Sequence, residues 1–254
     1  MAKNWKEAQK SEKIFWKNIY LNKGNNNTYD KTNLLGAVSF TKQILFINKK
    51  KINEFDKKKI VDLGCGPYGV ILGFLELEKN NKFKIKKIVG IDPLMNFFKN
   101  KINLIKSKKN LELIQGTGEN IKLNNNHMDY IFCVNGLDYF KDPKKVIKEC
   151  KRVLNNEGEL CVSVHVIFSY LRPIASLIKY LDKNHPHHFS ENQFYTLLKN
   201  DFNKVDKKYT CKIIDDHKDF NFRNIFKHKN FLVGLKRFIS NYVLYTVYYN
   251  CRNK

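Results

Sequence analysis

Apolar residues recur along the chain in two rhythms. Up to residue 58 the spacing is helical. Trp5, Ala8, Ile14, Phe15, Trp16 and Ile19 share a patchy face, and after an Asn-rich turn at 24–27 a second helix is predicted over 34–47. From Lys59 onward short apolar runs at 60–63, 87–91, 111–115, 130–135 and 160–166 alternate with stretches of helical period. One such helix is predicted over 70–78. Another opens at Pro93, where the missing N–H costs nothing, and a third runs from Asp142-Pro143 to Leu154. Strands alternating with helices predict a parallel sheet with crossovers on both faces. Beyond it, Ser190-Glu191-Asn192-Gln193 is a capping box that starts a helix. Segments 205–214 and 242–249 read as strands, and 231–239 between them as a basic amphipathic helix.

Composition narrows the setting. At 254 residues and 43% hydrophobic content the chain can bury one substantial core. No run approaches the ~18 uninterrupted apolar residues of a membrane span. Met-Ala-Lys-Asn-Trp-Lys-Glu lacks the apolar stretch of a secretory signal, so a cytoplasmic location is expected. The six cysteines form no CxxC pair, which fits reduced thiols and neither a zinc site nor a disulfide framework. The net charge of +23 invites a polyanionic partner, but only five of the 47 basic residues are Arg. Bidentate recognition of phosphates and base edges favours Arg, so sequence-specific nucleic-acid binding is not expected. Lysine serves an anionic substrate, or peripheral contact with an anionic membrane, as a point charge.

The chemistry concentrates in Val61-Asp62-Leu63-Gly64-Cys65-Gly66-Pro67-Tyr68-Gly69, a strand that ends on an acid and turns through glycines. Gly64 and Gly66 let a ligand approach the main chain, and Gly69 lets the following helix pack near the strand. A glycine loop of this spacing also serves dinucleotides, whose pyrophosphate sits at the helix N-terminus. Asp62 argues against that, because a carboxylate there repels phosphate and suits a cationic amino group and a sulfonium. Asp92 ends the second strand, at a spacing that suits acceptance of both ribose hydroxyls. It is equally a helix cap before Pro93.

These residues resemble the class I S-adenosylmethionine-dependent methyltransferases, in the group whose loop reads Asp-x-Gly-Cys-Gly. Further matches follow in order: Gly116-Thr117-Gly118-Glu119, where the family shows Gly-Asp-Ala-Glu; Met128-Asp129-Tyr130-Ile131; Asn135 through Pro143; and Glu149 through Gly158. The resemblance covers about 60–166 and implies a Rossmann-like α/β fold with a seven-stranded, mostly parallel sheet and an antiparallel last strand. Residues 59–254 would form this domain, with 1–58 as a helical cap over the cofactor. It implies S-adenosylmethionine as cofactor, held by Asp62, Gly64, Cys65, Gly66, Gly69, Asp92, Pro93, Met95, Gly118, Glu119 and Asn135, with Leu94 or Met95 against adenine. Thr117 departs from the family's Asp.

Methyl transfer from a sulfonium is an in-line displacement that mainly requires positioning and exclusion of water. A general base is needed only if the acceptor must lose a proton. Asp138, Tyr139 and His188 are the candidates, with His185 and His187 in the same His-rich loop. No carboxylate or cysteine joins that loop at metal-ligand spacing, so no metal is expected. A small-molecule, glycan-precursor or lipid-like acceptor is expected. The alternatives are an NAD(P)-type enzyme and a non-catalytic module that binds the cofactor for a partner. Segment 231–239 reads as a lid on the acceptor pocket, or else as a helix lying on an anionic membrane.

Overall fold

The structure, a computed structural model, describes residues 2–22, 29–67, 69–80, 83–99, 109–168, 186–212 and 244–253. Its centre is a sheet in the order β3-β2-β1-β4-β5-β8-β7. The strands are β1 (Lys59–Leu63), β2 (Lys87–Asp92), β3 (Leu111–Gln115), β4 (Met128–Val134), β5 (Leu154–Ile167), β7 (Lys204–Lys212) and β8 (Leu244–Arg252). A two-residue strand, β6 (Phe189–Ser190), pairs with the far end of β5 and makes the sheet eight-stranded, one more than expected. Among the described strands β8 alone runs antiparallel to its neighbours, β5 and β7.

Burial explains this arrangement. β1 and β2 are buried at every position but the first, as central parallel strands covered on both faces must be. On one face Val61, Leu63, Val89 and Ile131 pack with Val146, Ile147 and Cys150 of α5 (Pro143–Val153) and with Phe194 and Leu198 of the helix Glu191–Lys199, here α6. On the other, Ile60, Ile88 and Phe132 meet Phe74 and Leu75 of α3 (Val70–Asn80) and Ile44 and Leu45 of α2 (Tyr29–Ile47). Thr41 of α2 donates to the Val70 carbonyl at 3.2 Å, tying α2 to the start of α3. α1 (Ala2–Asn22) precedes it, and Trp16 of α1 meets Phe98 of the short α4 (Met95–Lys99) edge-on at 6.0 Å.

Capping was legible in detail. Asp142 accepts from Lys145 N at 3.1 Å with Pro143 opening α5, and Ser190 and Gln193 form the reciprocal box. Four boundaries moved. α2 begins at Tyr29 instead of residue 34. Pro93 and Leu94 form a turn, and α4 starts only at Met95, because Asp92 Oδ1 takes the Leu94 N–H at 2.7 Å. β7 begins at Lys204, one residue early, and residues 213 and 214 of the expected strand lie outside the described residues. The turn expected at 155–158 is absorbed into β5 as an irregularity: Leu154 pairs with Met128 but Glu159 with Tyr130. Asp129, inside that jump, accepts from Asn155 Nδ2 at 2.9 Å. The helix expected at 231–239 lies outside the described residues.

Candidate functional site

Strand order reverses beside β1, with β2 and β3 on one side and β4 and β5 on the other. In open α/β sheets the crevice beyond the strand C-termini at such a point is where ligands bind. Here it holds a cavity of about 250 Å³.

The glycine loop forms its floor. Gly64 and Gly66 have φ of +71° and +53°, a region side chains rarely adopt. This folding consumes the loop's own donors. Gly64 N donates to the Ile91 carbonyl at 2.8 Å, Gly66 N to Asp92 Oδ2 at 2.9 Å and Gly69 N to the Cys65 carbonyl at 2.8 Å. Asp62 Oδ2 accepts from Ile71 N, at the start of α3, at 3.3 Å. A dinucleotide-binding loop aims its amides at a pyrophosphate. Those named here are already satisfied within the protein.

Two carboxylates stand in the wall. Asp62 is 3% exposed, and burial pushes it up to about 7 against the pull of the Ile71 and Val70 N–H groups. Burial likewise raises Asp92 to about 6, opposed by the Leu94 and Gly66 N–H groups. A buried carboxylate without a cation is disfavoured in its charged form, so this pair is disposed to receive one. Each oxygen retains acceptor capacity beyond its backbone bond. Glu12 of α1 adds a third acid, while no described residue of the wall is Lys, Arg or His, in a chain of net charge +23. The site is acidic inside a basic protein.

Of the candidate residues, Asp62, Gly64, Cys65, Gly66, Gly69, Asp92, Pro93, Asn135 and Tyr139 converge on this cavity. Leu94 also lines it, whereas Met95 is 1% exposed and packed into the α2–α3 side of the core. Gly118 and Glu119 are not in its wall. A Cβ at Gly118 would come within 2.9 Å of Val146 and 3.1 Å of Phe140, so its smallness serves packing. Glu119 instead accepts from Lys141 N and Asp142 N at 2.7 and 3.1 Å, clasping the entry to α5. Asp138 and His188 also lie outside the wall. The His-rich loop docks through His187, whose N–H donates to the Asp138 carbonyl at 3.3 Å. His185 lies outside the described residues.

Other wall residues escaped the sequence. Glu12 and Trp16 come from α1, Phe40 from α2, Phe98 from α4 and Val134 from β4. Trp16 Nε1 donates to Glu12 Oε1 at 2.8 Å, one helical turn away, a spacing that could have flagged the pair. Asn135 has φ +51° and is held by Ser163, whose hydroxyl donates to Asn135 Oδ1 at 2.9 Å. Two residues further along β5, His165 bonds Thr246 Oγ1 through Nδ1 at 2.8 Å, beyond the end of β4.

This is an α/β protein with a nucleoside-scale acidic crevice at its topological switch point. Residues 61–162 match the methyltransferase domain family. It is 30% identical over 145 residues to a ubiquinone/menaquinone biosynthesis C-methyltransferase of Campylobacter jejuni, across 53% of this chain and 57% of the relative. The chain thus spans just over half the length of that curated relative. Among solved structures it resembles the YcgJ protein of Bacillus subtilis with a TM-score of 0.62 and 15% identity, over 86% of this chain and 99% of the other. A geranyl diphosphate C-methyltransferase of Streptomyces coelicolor superposes with a TM-score of 0.61 at 10% identity, over 84% and 78%. These likenesses establish the fold.

Proposed function

We propose that the chain binds S-adenosylmethionine in this cavity and transfers its methyl group to a small-molecule acceptor. The observation that carries the reading is the loop's internal hydrogen bonding together with its two buried carboxylates. An amide cradle for phosphate is missing from the described loop, and a cation would relieve both acids. Asp62 would hold the amino group of the methionine part. Asp92 would accept the ribose hydroxyls, and Leu94 and Phe98 would flank the base. Bound there, the sulfonium supplies an electrophilic methyl group.

The remaining work falls to the protein. Trp16, Phe40, Phe98 and Phe140 surround the cavity with apolar surface that excludes water and keeps the local dielectric low. Tyr139 and Asn135 present polar groups where an acceptor would meet the donor. An aromatic enclosure of this kind suits a flat or lipid-like acceptor, and the relative from Campylobacter jejuni is named for quinone biosynthesis. His188 and Asp138 are proposed to act behind Tyr139, and the helices of 1–58 to close the site as a cap. Among the described residues no helix is long and apolar enough to cross a membrane.

Calorimetry with S-adenosylhomocysteine and NAD tests the assignment. Saturable binding of the first and none of the second is expected. Tighter binding of NAD would replace the reading with a dinucleotide enzyme. Binding with no transfer to any acceptor, quinones included, would favour a cofactor-binding module.

A further inference from the structure

The opposite end of the sheet carries a cluster of basic residues. Strand N-termini seldom hold ligands in open α/β folds, so the composition of this edge is not explained by the cavity above. Lys59 opens β1 and Lys87 opens β2, and the two stand in register on adjacent strands. Like charges so paired repel. Lys86 precedes Lys87, Lys109 stands in the turn before β3, and His127 immediately precedes β4. Together with Asn110, Leu111 and Glu112 they border an open depression of about 430 Å³.

Charge compensation is incomplete there. Lys87 reaches Glu112 at 2.7 Å, but Lys59, Lys86 and Lys109 have no carboxylate partner among the described residues. Lys59 Nζ instead lies 3.4 Å from both ring nitrogens of His127. Partial burial, and then Lys59, Lys87 and Lys86 in turn, hold His127 below its ordinary range, against the opposing pull of Asp129. Among the described residues the acids near this edge are already engaged: Glu112 with Lys87, Asp129 with Lys59 N, Asn155 and Lys58, and Glu78 with Ile85 N and Asn110.

We infer that Lys59, Lys86, Lys87, Lys109 and His127 form a binding site for a small, multiply charged phosphate group at the N-terminal edge of the sheet. Phosphate offers several acceptor oxygens to ammonium donors that radiate from three neighbouring strands. Its described lining contains neither Arg nor Phe, Tyr or Trp, which separates it from a nucleic-acid groove. The phosphate could be free or carried on a lipid headgroup, and both share this chemistry. The inference does not depend on the methyltransferase reading, because the two sites lie at opposite ends of the strands.

The test uses the whole protein and inorganic pyrophosphate. The His127 imidazole is followed by NMR during titration at constant ionic strength, set with sodium chloride. A saturable shift with a raised His127 pKa is expected. The double variant Lys59→Gln/Lys87→Gln should weaken it by about tenfold or more, the equivalent of one lost charge-assisted hydrogen bond. Lys109→Gln, in an exposed turn, is a second variant that should weaken it less without touching the sheet. Sedimentation with phosphatidylglycerol vesicles separates the sources. Capture that free pyrophosphate reverses, and that the double variant loses, places the phosphate on lipid. A shift reproduced by sodium chloride alone, or one the variants leave unchanged, overturns the inference, as does a preference for oligonucleotide over pyrophosphate.

Discussion

Gly69 stands where a side chain would collide with Asp62. A Cβ built there overlaps Asp62 Oδ2 and lies 2.7 Å from the Cys65 carbonyl. The glycine therefore holds open the space in which the buried carboxylate meets the start of α3.

Gly69→Ala should thus damage both fold and site. The added methyl must displace Asp62 or the loop backbone, an overpacking that typically costs about 1–3 kcal/mol. Thermal denaturation should show a lowered midpoint, and calorimetry a weakened affinity for S-adenosylhomocysteine. Unchanged values for both would mean that Asp62 is not fixed where the structure puts it.

The two carboxylates make ligand affinity depend on pH. With Asp62 near 7 and Asp92 near 6, both lose protons on binding a cation, so affinity should rise from pH 5.5 to 8 with proton release in the acidic half of that range. Stability of the ligand-free protein runs the other way. Both acids bind protons more tightly folded than unfolded, where the ordinary value is 3.8, so stability should fall as pH rises from about 4 to about 7 and then level. Denaturant titrations across pH check the second half and calorimetry in buffers of different ionisation enthalpy the first. Asp62→Asn should flatten the stability profile while losing affinity.

Trp16 offers an optical readout. The chain has two tryptophans, Trp5 and Trp16, and only Trp16 lines the cavity. Adding S-adenosylhomocysteine should change the intrinsic fluorescence. The change should vanish in Trp16→Phe and survive in Trp5→Phe. The reverse pattern would place the ligand elsewhere.

Arg152 should matter for stability alone. Its guanidinium donates to the Ile121 and Leu123 carbonyls at 2.7 and 2.9 Å and to both oxygens of Glu149, while Glu149 Oε2 accepts from Ile121 N. Lysine cannot reproduce that fork. Arg152→Lys should cost about 1–2 kcal/mol, as expected for the loss of one or two such bonds, with ligand affinity unchanged. Chemical denaturation and calorimetry together decide it.

What the sequence disclosed depended on how local each task is. Asp62, the glycines and Asp92 act within a strand and the turn that follows it, so spacing alone places them. Glu119 and Met95 have their neighbours in sequence right, but side-chain direction turns one onto the α5 entry and the other into the core. Glu12, Trp16 and Phe40 come from helices whose docking face is set by tertiary packing. Periodicity marks an apolar stripe without saying what it meets. The 155–158 segment carries turn residues, yet Asp129 across the strand draws Asn155 into the sheet, which no local rule reports.

The position of β8 also bears on how this protein is made. It is synthesised after β7 but lies between β5 and β7, and its Arg252 reaches Glu159 at 2.7 Å beside Lys50 at 3.0 Å. While a ribosome is still translating the stretch before Leu244, β7 lacks the strand it pairs with among the described residues, and the edge of β5 that β8 will take is open. Glu159, 4% exposed at its side chain when folded, must wait for one of its two cations. The sheet is therefore completed by insertion of a late strand into a reserved slot, and until then its open edge is one that a chaperone or another nascent chain could occupy.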